Sequence, residues 1–135
     1  MTLKDFFDND RFAVGNGVKL IEFGEGRAIA EMQIEEKHLN GAGTVQGGAL
    51  FTLADLAFAA AANSRGKMAV SLDANISFIK AVSSGKLTAV ASEIYLRRTV
   101  AGYRVDITAE DGELVAVFNS TAYRKDKEPK KTDAL

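Results

Sequence analysis

No cysteine occurs anywhere in the 135 residues, which removes disulfides, thiolate metal sites and cysteine nucleophiles together. The single histidine, His38, cannot build a multi-histidine metal cage. A strong net charge is missing too. With 17 basic side chains against 18 acidic ones the formal net charge is -1, so no global field gathers nucleic acid or anionic lipid. Neither nucleic acid nor a membrane is expected as a partner. The longest apolar stretch is broken by Asp55 well short of a bilayer span. The segment MTLKDFFDND is acidic and lacks the basic flank and apolar run of a signal peptide. A cytoplasmic protein is the expectation. Proline is nearly absent, and its one occurrence falls in RKDKEPKKTDAL, which has almost no apolar residues. Residues 125–135 therefore read as a disordered charged tail. What is left, 1–124, has the length of one domain with a substantial core.

The apolar residues that are present change their period along the chain. Leu3, Phe6 and Phe7 recur at helical intervals and predict a short helix laid over an open edge of the core. From Gly17 to about Glu35 the period becomes two. Ala28, Ala30, Met32 and Ile34 alternate with Arg27, Glu31, Gln33 and Glu35, and VKLIEF is joined to this strand through the turn FGEG. KHLNGAGTVQGG, with four glycines and no periodicity, is a loop that ends at a helix start near Gly47. A long helix rich in alanine, leucine and phenylalanine runs from there to NSRGK. Beyond it Val70, Leu72, Ala74, Ile76 and Phe78 alternate with Ser71, Asp73, Asn75 and Ser77. SSGK turns into 87–98, TVAGY opens a hairpin, and AEDGE joins 103–109 to 114–123. Turns of a few residues join antiparallel neighbours, so the class is α+β: a curved antiparallel sheet of five to six strands around one long central helix. A helix apolar on every side has more surface than one sheet face covers, which calls for a second copy of the chain.

Asp55 is the anomaly in that helix. It lies two turns in, too deep to cap the N-terminus, and desolvation should raise its pKa unless a partner compensates. On a helical wheel Gly48, Thr52, Asp55, Ala59 and Ala62 share one small, polar face. At the helix start the amides of Gly47 and Gly48 carry partial positive charge with no side chain in the way, suited to an oxygen that gains negative charge. A carboxylate and an oxyanion hole are the parts needed to hydrolyse an activated acyl group. Eight residues at roughly 1.5 Å each put Gly47 and Asp55 about 12 Å apart along the axis, too far for one reacting centre. If they cooperate, they come from different chains related by a two-fold axis.

The segments HLN, GTVQGGALFTLAD, AFA and NS, followed by a strand ending in NISFIK, resemble the hotdog-fold acyl-CoA thioesterases of the 4-hydroxybenzoyl-CoA thioesterase superfamily, most closely the phenylacetate-pathway subgroup. The similarity runs from about Val14 to Arg124. It implies a side-by-side homodimer, often stacked into a dimer of dimers, with the active site at the subunit interface, acyl-CoA as substrate, and no metal or cofactor. It places the catalytic carboxylate on Asp55, as general base or nucleophile, and the oxyanion amide on Gly47. Asn40 matches the loop amide that helps to hold the thioester carbonyl. Ser71 matches a position where some relatives hold the attacking water, and His38 and Gly48 fall among the substrate-binding positions. Two residues depart from the pattern: Gln46 stands where most relatives have histidine, and Ala81 where most have proline. Gln46, placed in the catalytic set, can donate or accept a hydrogen bond but cannot titrate near neutrality.

Each of these residues also has a plainer reading. Asp55 could be a buried carboxylate bonded to amides or a lysine, and the two glycines a tight turn. Asn40 could stabilise its own loop, Ser71 could belong to a strand's outer face, and His38 to a loop or strand end. Lys80, Lys86, Arg97, Arg98 and Arg124 are candidates for the phosphates of coenzyme A or simply solvated charges. The rival functions are a non-catalytic acyl-CoA-binding module and a dehydratase acting on 3-hydroxyacyl thioesters.

Overall fold

The computed structural model describes residues 2–126. Two short helices, α1 (Leu3–Asp8) and α2 (Arg11–Gly15), precede the strands β1 (Val18–Gly24) and β2 (Arg27–Gln33). A one-turn 3₁₀ helix at Glu36–His38 leads through the glycine-rich loop into α3 (Gly47–Asn63). Four strands follow: β3 (Ala69–Phe78), β4 (Lys86–Leu96), β5 (Val100–Thr108) and β6 (Leu114–Arg124). They form one antiparallel six-stranded sheet in the order β1-β2-β4-β5-β6-β3, wrapped around α3 as the resemblance implies.

Sequence and local geometry agree in most elements. Thr2 caps α1 and exchanges hydrogen bonds with Asp5 in a capping box. Phe7 of that helix is buried edge-on to Phe23, closing one end of the core as expected. Glu25 and Gly26, both at positive φ (51° and 79°), make the two-residue turn between β1 and β2, the primed geometry whose twist suits paired strands. The sheet's inner face is lined with alanine: Ala28, Ala30, Ala89, Ala91, Ala101, Ala116 and Ala122 are all essentially inaccessible. These short side chains let the sheet close tightly on α3, whose Leu53, Ala54, Ala57 and Ala61 fill the axis of the core.

Three expectations need correction. The reading from turns misses α2, a five-residue helix capped by Asp10, whose carboxylate accepts from Ala13 N at 3.0 Å. The short connection between β3 and β4 does not join neighbours, because β3 crosses to the far edge and pairs with β6. The alternation along β3 also fails. A bulge between Ser71 and Asp73 shifts the register, so that Ser71 opposes Ala122 and Ala74 opposes Ser120, both on the inner face. Most of β3 is exposed in the chain, with Leu72 and Phe78 each more than half accessible. The expected tail lies almost wholly outside the described residues. Its first two members are placed: Lys125 N donates to Met68 O at 2.7 Å, and Asp126 pairs with Lys67. Among the described residues no helix is long and apolar enough to cross a membrane.

Candidate active site

The site begins at the N-terminus of α3. Gln46 is the N-cap, and its Oε1 accepts from Gly48 N at 2.9 Å. Ala49 N donates to Gln46 O at 2.9 Å. Between these two bonds the Gly47 N–H is left without an acceptor among the described residues. It is the free donor that the positive end of a helix provides. Space is tight here: a Cβ on Gly47 would come 2.8 Å from Phe78 Cζ, and one on Gly48 2.6 Å from Gln46 Oε1, so either would displace the tip of a neighbouring side chain. Gln46 thus acts in this chain by fixing the helix start rather than by titrating.

Two cavities flank this helix end. One, of about 380 Å³, is lined by Asn40, Gly47, Leu50, Phe78 and Lys80 among others. The second, of about 460 Å³, lies on the other side and brings together His38, Asn40, Gln46 and Gly48 with Phe12 and Thr52. Asn40 borders both. Its Oδ1 accepts from Ala42 N at 2.9 Å and Thr44 N at 3.1 Å, and its Nδ2 donates to Thr44 Oγ1. The side chain therefore holds its own loop, and its amide still has a second hydrogen to offer.

His38 is buried and fully committed. Nδ1 accepts from Glu35 N at 2.9 Å, which leaves the proton on Nε2 to be donated to Asn16 O at 2.7 Å. That bond ties the 3₁₀ turn to the end of α2. Ser71 Oγ sits 3.1 Å from Ser120 Oγ and donates to Asp73 O at 3.0 Å. The pair of hydroxyls lies at the β3 bulge, with Ser120 buried beneath. Lys80 pairs with Glu113, Lys86 with Glu31, and Arg124 donates to Arg97 O.

Asp55 stands apart from both cavities. It lies on the one stripe of α3 that the sheet leaves incompletely covered, with Gly48, Phe51, Thr52 and Ala59. Burial raises its pKa above the ordinary aspartate value, and the negative charge of Asp10 adds to the effect. No hydrogen bond from the described residues offsets either. A carboxylate with a raised pKa and no partner is stabilised by nothing among the described residues.

Two features carry little or no local sequence signal, one beside the site and one remote from it. One is α2 with Phe12, whose only local signal is Asp10 as a cap before a short run ended by Gly-Asn-Gly. The other is a clamp at the opposite end of α3. Arg65 reaches both carboxylate oxygens of Glu93, at 2.8 and 3.2 Å, and Tyr103 donates to Glu93 Oε2 at 2.9 Å. No local pattern signals it.

Comparison with known proteins agrees with this architecture. The family model of the thioesterase superfamily matches residues 42–116, a span that contains α3, its N-terminal glycines and β3 to β5. The acyl-coenzyme A thioesterase PaaI of Escherichia coli is 34% identical over 119 residues, covering 87% of this chain and 85% of that protein. The solved structure of that E. coli protein, described as coming from the phenylacetic acid degradation operon, superposes with a TM-score of 0.87 over 92% of this chain and 91% of that one, at 32% identity. Human acyl-coenzyme A thioesterase 13 is 32% identical over 110 residues, 78% of this chain and 79% of that protein. A Streptococcus pneumoniae protein described as a hypothetical thioesterase, and solved with coenzyme A, has a TM-score of 0.83 at 25% identity, covering 95% of this chain and all of that one. With its central helix, six-stranded wrap and glycine-led helix start, this chain is a hotdog-fold enzyme and belongs to the thioesterase superfamily, in its PaaI-like branch.

Proposed function

We propose that this chain hydrolyses acyl-CoA thioesters carrying aryl or medium-chain acyl groups to the free acid and coenzyme A. The observation that carries the reading is the pairing of a free Gly47 amide at the helix start with an unpartnered, desolvated Asp55 on the open stripe of the same helix. Gly47 N–H donates to the thioester oxygen as negative charge develops on it, and the spare hydrogen of Asn40 holds the carbonyl beside it. Asp55 either takes a proton from the attacking water or attacks the acyl carbon to form a mixed anhydride, which water then opens. In both routes the carbon–sulfur bond breaks and coenzyme A leaves as its thiol. The hydroxyl pair Ser71 and Ser120 is the group that orients the water. Gly48 meets substrate in the wall of the second cavity, and His38, with both ring nitrogens engaged, contributes to substrate binding by holding that wall in place.

Because Gly47 and Asp55 are about 12 Å apart along one helix, the reading requires a homodimer. The β3 edge supports it: a long strand with an unpaired side, and with Val70, Leu72 and Phe78 exposed, is a template for a second β3. Pairing the two edges continues the sheet across both chains and lays their helices side by side, each helix start facing the Asp55 of its mate. A dimer of dimers, a cytoplasmic location and a role in phenylacetate breakdown belong to the same reading. The E. coli relative named for acyl-coenzyme A and the neighbour solved with coenzyme A support the substrate class.

The test follows thiol release from a panel of aryl and aliphatic acyl-CoAs, for the wild type and Asp55→Asn. A fall of about 100-fold or more with binding retained is expected for a general base or nucleophile. Tight acyl-CoA binding without release from any substrate would establish the binding-module alternative instead. Release unchanged by the substitution refutes the role of Asp55.

A further inference from the structure

We propose that Phe12, on α2, is a specificity-determining residue. Its ring is the wall against which the acyl group packs, in the cavity that also holds Asn40, Gln46 and Gly48. The inference rests on the thioesterase reading above and names the part of the chain that selects its substrate.

Three observations lead to it. First, Phe12 is 70% exposed, although its neighbour Ala13 is buried against the core. A phenyl ring left in water forgoes the stabilisation that burial would bring. Second, the exposed ring borders the cavity of about 460 Å³ beside the helix start. Most of its wall is polar, from Asn16, Lys37, His38, Asn40, Gln46 and Thr52, so among the described residues Phe12 is the one phenyl surface it offers to an acyl group, beside the smaller Leu39 and Ala49. An aryl ring or several methylenes would present far more apolar surface to Phe12 than an acetyl group can. Third, α2 is fixed in place. Asp10 caps its start, and Asn16 Nδ2 donates to Phe12 O at 2.8 Å. Asn16 O receives the buried His38 Nε2–H, and Lys37 Nζ reaches Gly15 O at 3.1 Å. The helix that carries Phe12 is thus fastened to the residues that line the rest of the cavity, which fixes the backbone from which the ring projects. His38 acts here as a positioning residue, through α2.

The geometry gives each substrate a different stake in the ring. An aryl acyl group gains an edge-to-face partner, a medium aliphatic chain gains apolar contact, and an acetyl group gains neither.

The experiment compares Phe12→Ala and Phe12→Leu with the wild type on acetyl-CoA, hexanoyl-CoA and phenylacetyl-CoA, in the intact oligomer. For Phe12→Ala, kcat/KM toward phenylacetyl-CoA is expected to fall about tenfold, chiefly through KM. The loss with hexanoyl-CoA should be smaller, and acetyl-CoA should be unaffected. Phe12→Leu should recover hexanoyl-CoA more fully than phenylacetyl-CoA. Both variants should melt with the wild type, since the ring lies outside the core. Equal effects on all three substrates, or none, overturn the inference while leaving an Asp55-dependent thioesterase intact. A wild type that releases no thiol from any of them, or an Asp55→Asn variant as active as the wild type, overturns the thioesterase reading and this inference with it.

Discussion

Replacing Tyr103 by phenylalanine removes one oxygen atom and keeps everything else. The ring stays edge-on to Phe58, with centroids 5.6 Å apart, in a position only 2% exposed. What is lost is the 2.9 Å hydrogen bond to Glu93 Oε2. Glu93 keeps Arg65 and is not abandoned. A hydrogen bond to a charged group contributes about 1.5–3 kcal/mol, and because Glu93 retains a partner we expect a loss of about 2 kcal/mol at pH 7. The pH dependence is more diagnostic than the size. Burial alone would raise the Glu93 carboxyl, but hydrogen bonds from Arg65 and Tyr103 outweigh it and hold it below the usual range. A depressed carboxylate stabilises the fold above its unfolded pKa of about 4.3, and that contribution is lost as pH falls through the lower folded value. Tyr103 is raised, first by burial and then by its bond to Glu93. Only the unfolded chain can ionise it near pH 10, so the wild type loses stability as pH rises past about 10 while the variant loses none at this site. The difference between the two proteins should therefore be widest between about pH 5 and 9 and shrink at both ends. Urea unfolding followed by circular dichroism, at one protein concentration, measures it. A difference that stays flat from acid to alkali, or one below about 0.5 kcal/mol at pH 7, refutes the account of the clamp.

Two further outcomes follow from the site. Asp10→Asn keeps an N-cap of equal quality on α2 but removes the negative charge that helps to raise Asp55. The acidic limb of the pH profile of kcat/KM should move to lower pH, while remaining above that of a free aspartate because burial persists; an unmoved limb would show that Asp55 is not the titrating group. Lysines at both Val70 and Leu72 would load the exposed β3 edge with charge, and sedimentation velocity should then report monomers with thiol release lost. An active monomer from that variant would exclude an active site shared between chains.

The start of α3 and the oddity of Asp55 were legible in the sequence because both are local. Gly47 and Gly48 open an apolar run, and a carboxylate inside such a run is anomalous whatever surrounds it. The hairpin at Glu25 and Gly26 and the buried set Ala28, Ala30 and Met32 were legible for the same reason: a turn and a period of two are properties of adjacent residues. α2 was not, since five residues are too few to display a helical period.

Residue order by itself thus determined the α+β class, the long helix and the identity of the acid within it. Where β3 goes is a matter of long-range packing, because strand order depends on which edges remain free once the others have paired. The tertiary structure also decided the face of Ser71, which a bulge moves inward, and the clamp between Arg65 and Glu93, which joins positions 28 residues apart. The fate of the Gly47 amide was decided there too, since the Gln46 side chain satisfies Gly48 and leaves its neighbour free. Contacts between distant segments arise from packing the whole chain, and no local period encodes them.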